Sequence, residues 1–142
     1  MKQVTRSTVR VRYSEVDQMG VAYHVHYLVW CEIGRTDFIR QLGTTYAQLE
    51  RDGLLLAVVE ANVRYSASAY YDDVLTVETR LERVQSRSLT FGYEIFREEP
   101  GPRQRLATAW TKLIGMTREG VARPLPPELI ERFRHAIAVP GA

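Results

Sequence analysis

The stretch from about Val25 to Leu42 limits what this chain can fold into more than any other part of it. Tyr27, Leu28, Val29, Trp30, Cys31, Ile33, Phe38, Ile39 and Leu42 are apolar or aromatic, and the polar positions are few: Glu32, Arg35, Asp37, Arg40 and Gln41. The spacing predicts a helix whose N-terminal half is apolar nearly all round. A surface helix carries one apolar stripe, whereas a helix apolar on most sides is buried on most sides. Gly43 is a fitting stop. Thr45-Tyr46-Ala47-Gln48 resembles a capping box for one short helix closed by Gly53.

The rest of the chain must supply the cover, and its period is two. A first strand is predicted over Thr8 to Tyr13, with Val9, Val11 and Tyr13 on one face. From Leu54 onward, Val59-Ala61-Val63-Tyr65, Leu75-Val77-Thr79-Leu81 and Leu89-Phe91-Tyr93-Ile95 alternate with polar or small residues. A last strand runs from about Leu106 to Met116. Asp72-Asp73, Gln85-Ser86 and Pro100-Gly101-Pro102 punctuate the strands as hairpin connections. Pro126 and Pro127 open a final helix through about Ala136, with Leu129, Ile130, Phe133 and Ile137 on one face. The element order is strand, buried helix, then four antiparallel strands. It predicts an α+β fold in which one curved five-stranded sheet wraps a long central helix, with a second copy covering the remaining apolar edges.

At 142 residues this is one domain, 1–142, with no repeat, linker or low-complexity segment. Lys plus Arg is 19 and Asp plus Glu is 17, a net charge of +2. That excess is too small for a dedicated nucleic-acid binder. No apolar run reaches the roughly 20 residues of a membrane span, and the N-terminus lacks a signal-peptide stretch, so a cytoplasmic location is expected. Cys31 is the single cysteine and forms no intramolecular disulfide; within an apolar stretch it reads as an inert buried thiol.

Chemistry is concentrated in the loop before the helix, Tyr13 to Tyr27. Asp17 and Gly20 fit a type I turn, which is by itself a sufficient reason for both residues. His24 and His26 flank the helix start, but the spacing offers no third ligand for a metal with them and Asp17, so no metal or cofactor is expected. Tyr23 and Tyr27 fit either a ligand pocket or the core. Glu32 and Arg35, three apart, are expected to pair with each other.

The same stretch resembles the signature of the hot-dog-fold acyl-CoA thioesterases, nearest to the 4-hydroxybenzoyl-CoA group and the small Tol-Pal-associated bacterial thioesterases. The matching residues are Asp17, Met19-Gly20, Tyr23-His24, Tyr27-Leu28 and Glu32-x-x-Arg35. Val63-Arg64-Tyr65, Asp72-Asp73-Val74-Leu75 and Ser88-Leu89-Thr90-Phe91 also match, so the likeness spans about Val9 to Met116.

The resemblance implies hydrolysis of an acyl-CoA or acyl-carrier-protein thioester in dimers or tetramers with sites at the subunit boundary. It implies Asp17 as nucleophile or general base. The backbone N–H at His24, at the positive end of the helix, would polarise the carbonyl. Tyr23 and Tyr27 are the candidates for the acyl pocket, with the core as their other reading, and the resemblance implies CoA phosphate contacts from the region of Arg87 and Ser88, although an exposed turn arginine is also explained by solvation alone. Two other functions share the fold: a dehydratase or hydratase, and a non-catalytic acyl-CoA-binding module. The first leaves the thiol masked, and the second binds without turnover and has no need of a carboxylate at Asp17.

Overall fold

The computed structural model describes residues 3–137; the ends of the predicted 1–142 domain lie outside them. Strands β1 (Val4–Arg10), β2 (Leu55–Tyr65), β3 (Val74–Val84), β4 (Ser88–Glu99) and β5 (Gln104–Met116) form one antiparallel sheet in the order β1-β3-β4-β5-β2. Helix α1 (His26–Gln41) lies across β1, β3 and β4, and α2 (Tyr46–Arg51) and α3 (Pro127–Ala136) complete the layer. Thr45 caps α2 through the Gln48 N–H. Phe38 of α1, Phe91 of β4 and Phe133 of α3 form an edge-to-face chain, with ring centres 5.5 and 6.4 Å apart. Among the described residues no helix is long and apolar enough to cross a membrane.

This is the α+β layout expected, a five-stranded antiparallel sheet around a long helix, with three local differences. The first strand is Val4–Arg10, not Thr8 to Tyr13. Its helix-facing positions Thr5 and Ser7 are polar and buried, so the apolar alternation starts only at Val9. Tyr13 opens a 3-10 turn and is exposed. Second, α1 is not covered on every side within one chain: Val25, Val29 and Ile33 are 39–45% exposed on the side turned away from the sheet. Third, β2 is an edge strand bonded only to β5, with a bulge between Val58 and Glu60. Its period-two pattern produces little burial in one chain, because nothing packs over most of it.

Helix and sheet come close together at Gly34. A Cβ there would overlap the Thr79 hydroxyl on β3 and come within 3.0 Å of Val77. Thr79 Oγ1 is the one buried side-chain polar atom among the described residues without a hydrogen-bond partner. Only glycine lets α1 settle this far onto β3.

Candidate active site

The site forms where β1 leaves the sheet and β3 enters it. Asp17 sits in the predicted tight turn. Its N–H donates to Val21 O, its carbonyl accepts the Gly20 N–H, and Gly20 has φ +80°, a left-handed value that glycine adopts without steric cost. One carboxylate oxygen, Oδ1, accepts the Met19 N–H at 2.8 Å. The turn role is therefore real. It uses one oxygen and leaves Oδ2 with no partner among the described residues.

The chain then turns into α1. Tyr23 O accepts the His26 N–H at 3.0 Å, and His24 O accepts the Tyr27 N–H at 3.3 Å. The N–H groups of His24 and Val25 have no acceptor among the described residues, as the first donors of a helix must. They stand at the positive end of the helix dipole, where developing negative charge is stabilised.

A cleft of about 370 Å³ joins these features, lined by Asp17, Val21, Ala22, His24, Tyr27 and the segment Tyr65 to Ser68. Tyr27 is its floor: the hydroxyl accepts the Ala69 N–H at 3.1 Å, and the ring stands perpendicular to Tyr65, 4.9 Å away. Tyr65 donates from its hydroxyl to His24 O at 2.9 Å and so ties β2 to the helix entrance. The far wall is braced from behind, where Arg97 donates to Ser68 O at 2.9 Å and pairs with Asp73 at 3.3 Å. Among the described residues no cluster of three or more His, Cys, Asp or Glu is placed to hold a metal ion. A second hollow of about 540 Å³ lies between α2 and α3 and is lined by charges of both signs, Asp52, Glu128, Arg123 and Arg132.

Of the residues singled out in the sequence, Asp17, His24 and Tyr27 meet in this cleft. Tyr23 does not line it; the side chain is 47% exposed and lies against the His24 ring, 4.6 Å between centres. Arg87 and Ser88 lie at the other end of the sheet, past the full length of β3, about 33 Å from its first residue. Arg87 is exposed, whereas Ser88 is buried and donates to Gln85 within its own hairpin. The expected Glu32–Arg35 pair is not formed. Arg35 is buried and donates to the hydroxyls of Tyr46 (2.6 Å) and Tyr93 (3.2 Å), because its helix face turns into the sheet while Glu32 faces out. Burial works against the Arg35 charge, and the two phenol oxygens more than offset it. Burial pushes the Cys31 thiol up to about 12, which leaves it protonated and inert. The Tyr65-to-Ser68 wall and the buried Glu15 were missed as site elements. Tyr65 had a signal, as the last apolar position of its strand; Glu15 had none.

The thioesterase-like superfamily model matches residues 11–133. The Bacillus subtilis protein YneP, named as an acyl-CoA thioesterase, is 40% identical over 93 residues, 66% of this chain and 67% of YneP. The acyl-CoA thioesterase YbgC of Haemophilus influenzae is 36% identical over 90 residues, 63% of this chain and 66% of YbgC. Among solved structures, the DHNA-CoA thioesterase of Staphylococcus aureus superposes with a TM-score of 0.87 at 31% identity, covering 93% of this chain and 89% of that one. With these matches to the sheet, the helix and the loop between them, the chain belongs to the thioesterase-like superfamily and is a hot-dog-fold thioester hydrolase.

Proposed function

We propose that this cleft hydrolyses an acyl-CoA, or the matching carrier-protein thioester, to the free acid and thiol in the cytoplasm. The supporting observation is the meeting in one cleft of Asp17, whose Oδ2 has no protein partner among the described residues, and His24, whose N–H has none either. That N–H polarises the thioester carbonyl and takes up the charge that grows on its oxygen. Asp17 attacks the carbonyl carbon, the C–S bond breaks to release the thiolate, and water then hydrolyses the mixed anhydride; or Asp17 removes a proton from water, which attacks the carbon itself and displaces the thiolate. A thioester carbonyl is electrophilic enough for either route without a cofactor, and no metal enters the reading.

The reading includes a homodimer or homotetramer. The unpaired edge of β2, with Val58 and Val59 each 48% exposed, supports it, as does the Val25-Val29-Ile33 stripe on α1. Tyr27 bounds the acyl group, and Tyr23, exposed beside the His24 ring and outside the cleft, meets the part of the substrate that extends beyond it. Arg87 acts on CoA from a second copy, since its own chain holds it at the opposite end of the sheet, and Ser88 beside it, bonded to Gln85, shapes the turn that carries it. A monomer with full activity by light scattering at assay concentration rules this assembly out.

The test is thiol release over a panel of aliphatic and aryl CoA thioesters, followed by Asp17→Asn. Asn keeps the turn and removes the anion, so kcat falls about 10²–10⁴-fold with the circular dichroism unchanged. His24→Ala keeps the backbone N–H and costs less. Near-normal turnover by folded Asp17→Asn leaves Asp17 with its turn role alone.

A further inference from the structure

Glu15 is a charged group that the proposed chemistry does not use. It lies two residues before Asp17 in an exposed loop, yet its side chain is only 3% exposed. A carboxylate buried this far needs donors. The Arg12 backbone N–H donates to Oε1 at 2.7 Å, the Trp30 indole N–H donates to Oε2 at 3.2 Å, and the Arg12 guanidinium reaches Oε2 at 3.4 Å. Burial pushes the carboxyl up, and these donors more than offset it, holding it below its ordinary value.

The main chain of Glu15 points the same way. Its carbonyl accepts the N–H of Tyr23, the residue before His24, at 2.8 Å. Trp30 is fully buried in the second turn of α1, with its ring 4.8 Å from that of Tyr27, the floor of the cleft. One residue thus joins the end of β1, the Asp17 turn, the helix entrance and the helix body. An apolar side chain would fill the same space without the desolvation cost of a charge. What it would lack is two acceptor oxygens facing donors from two separate elements.

We propose that Glu15 is a positioning residue that clamps the Asp17 turn to α1 through Trp30 and Tyr23, and so sets the carboxylate of Asp17 against the free N–H of His24. The inference rests on the roles given to Asp17 and His24 above.

Two variants test it, alone and combined. Glu15→Gln keeps the shape but sets an amide NH₂ against one of the two N–H donors. Trp30→Phe removes the indole donor. Each is measured for kcat and KM on the best thioester, and for amide hydrogen exchange, well below its melting temperature. Glu15→Gln lowers kcat about 10–100-fold with KM within about threefold, because the cleft walls stay while the attacking group is misplaced. Exchange quickens across residues 16–24 and not in the sheet. Adding Trp30→Phe restores part of the lost kcat, since the opposed donors are gone.

Wild-type kcat and unchanged exchange in folded Glu15→Gln overturn the proposal. So do losses in the double variant that simply multiply, which would remove the Trp30 link. Should Glu15→Gln not fold, Trp30→Phe alone decides: wild-type kcat and unchanged exchange at 16–24 in that variant overturn the clamp. The exchange measurement needs no turnover. A wild-type chain that releases no thiol therefore sinks the thioesterase reading and still leaves Glu15 to be decided by exchange.

Discussion

Replacing Tyr27 by Phe removes one oxygen from a place where nothing can substitute for it. Tyr27 is 2% exposed and Ala69, whose N–H the hydroxyl accepts at 3.1 Å, is 0% exposed. Phe leaves that N–H buried and unpaired, a loss of about 1–3 kcal/mol. Ala69 also accepts the Ala22 N–H at 2.8 Å, so the disturbance reaches the loop that carries Asp17. Tyr65→Phe is the control. Its hydroxyl also makes one hydrogen bond, to His24 O, but the residue is 47% exposed and water replaces the donor. That variant should lose no more than about 0.5 kcal/mol.

Urea unfolding at one fixed protein concentration measures both, with equal m-values as the check that only stability has changed. For a chain of this size the Tyr27 loss corresponds to a fall in Tm of about 3–12 °C. Equal losses in the two variants would refute the reasoning, because burial of the orphaned N–H is the only thing that separates them.

Other expectations follow from the same geometry. Thr79→Val removes the unpartnered buried hydroxyl at constant shape and should raise stability by up to about 1 kcal/mol. Gly34→Ala should lower it by about 1–3 kcal/mol despite its better helix propensity, and Thr79→Ala should restore part of that loss. Burial raises the hydroxyls of Tyr27 and Tyr46 and pushes that of Tyr93 up to about 12, from an ordinary value of 10.0. Folding holds these protons more tightly than the unfolded chain does. The contribution of each is complete below about pH 10 and is lost as the pH rises through its own raised value, which for Tyr93 is about 12; a flat stability curve between about pH 10 and 12 would contradict this. Glu15 is held below its ordinary 4.5, so its contribution is present above that pH and is lost as the pH falls through the lowered value. Arg87→Ala should weaken full CoA thioesters by about 1.5–3 kcal/mol where the contact is desolvated, and spare thioesters carrying only the pantetheine arm; equal losses would remove Arg87 from phosphate recognition.

What the sequence revealed and what it hid divide by the range of the interaction. Helix α1 falls within one residue of its expected bounds at each end, because the apolar run and Gly43 are local signals. Asp17 and His24 were legible together because a short loop separates them. The wall facing them comes from Tyr65, whose place at the end of its strand's alternation is legible but whose bond to His24, 41 residues away, has no local signature. The shift of β1 has the same origin. Thr5 and Ser7 look like solvent-facing residues until Gln41 and Asp37 of α1 supply their partners. Proximity in sequence pairs Arg35 with Glu32, but its partners in the fold are 11 and 58 residues away.

These misread residues share a task. Apolar contacts hold a helix against a sheet but resist sliding and rotation weakly, since they have little directionality. Along α1 the directional bonds are spaced from end to end: Trp30 to Glu15, Arg35 to Tyr46 and Tyr93, Asp37 from Ser7, and Gln41 from Thr5. The Phe38 carbonyl adds one more, from the Gln3 amide. A helix fixed in this way cannot drift along its axis without breaking several buried or part-buried hydrogen bonds at once. In the proposed chemistry the working part of α1 is its first turn, where a free N–H must meet a carbonyl oxygen to within a few tenths of an ångström. Polar residues buried under the helix cost desolvation that an apolar core would avoid. Their arrangement is accounted for if the position of the helix end, and not only the stability of the fold, is what they secure.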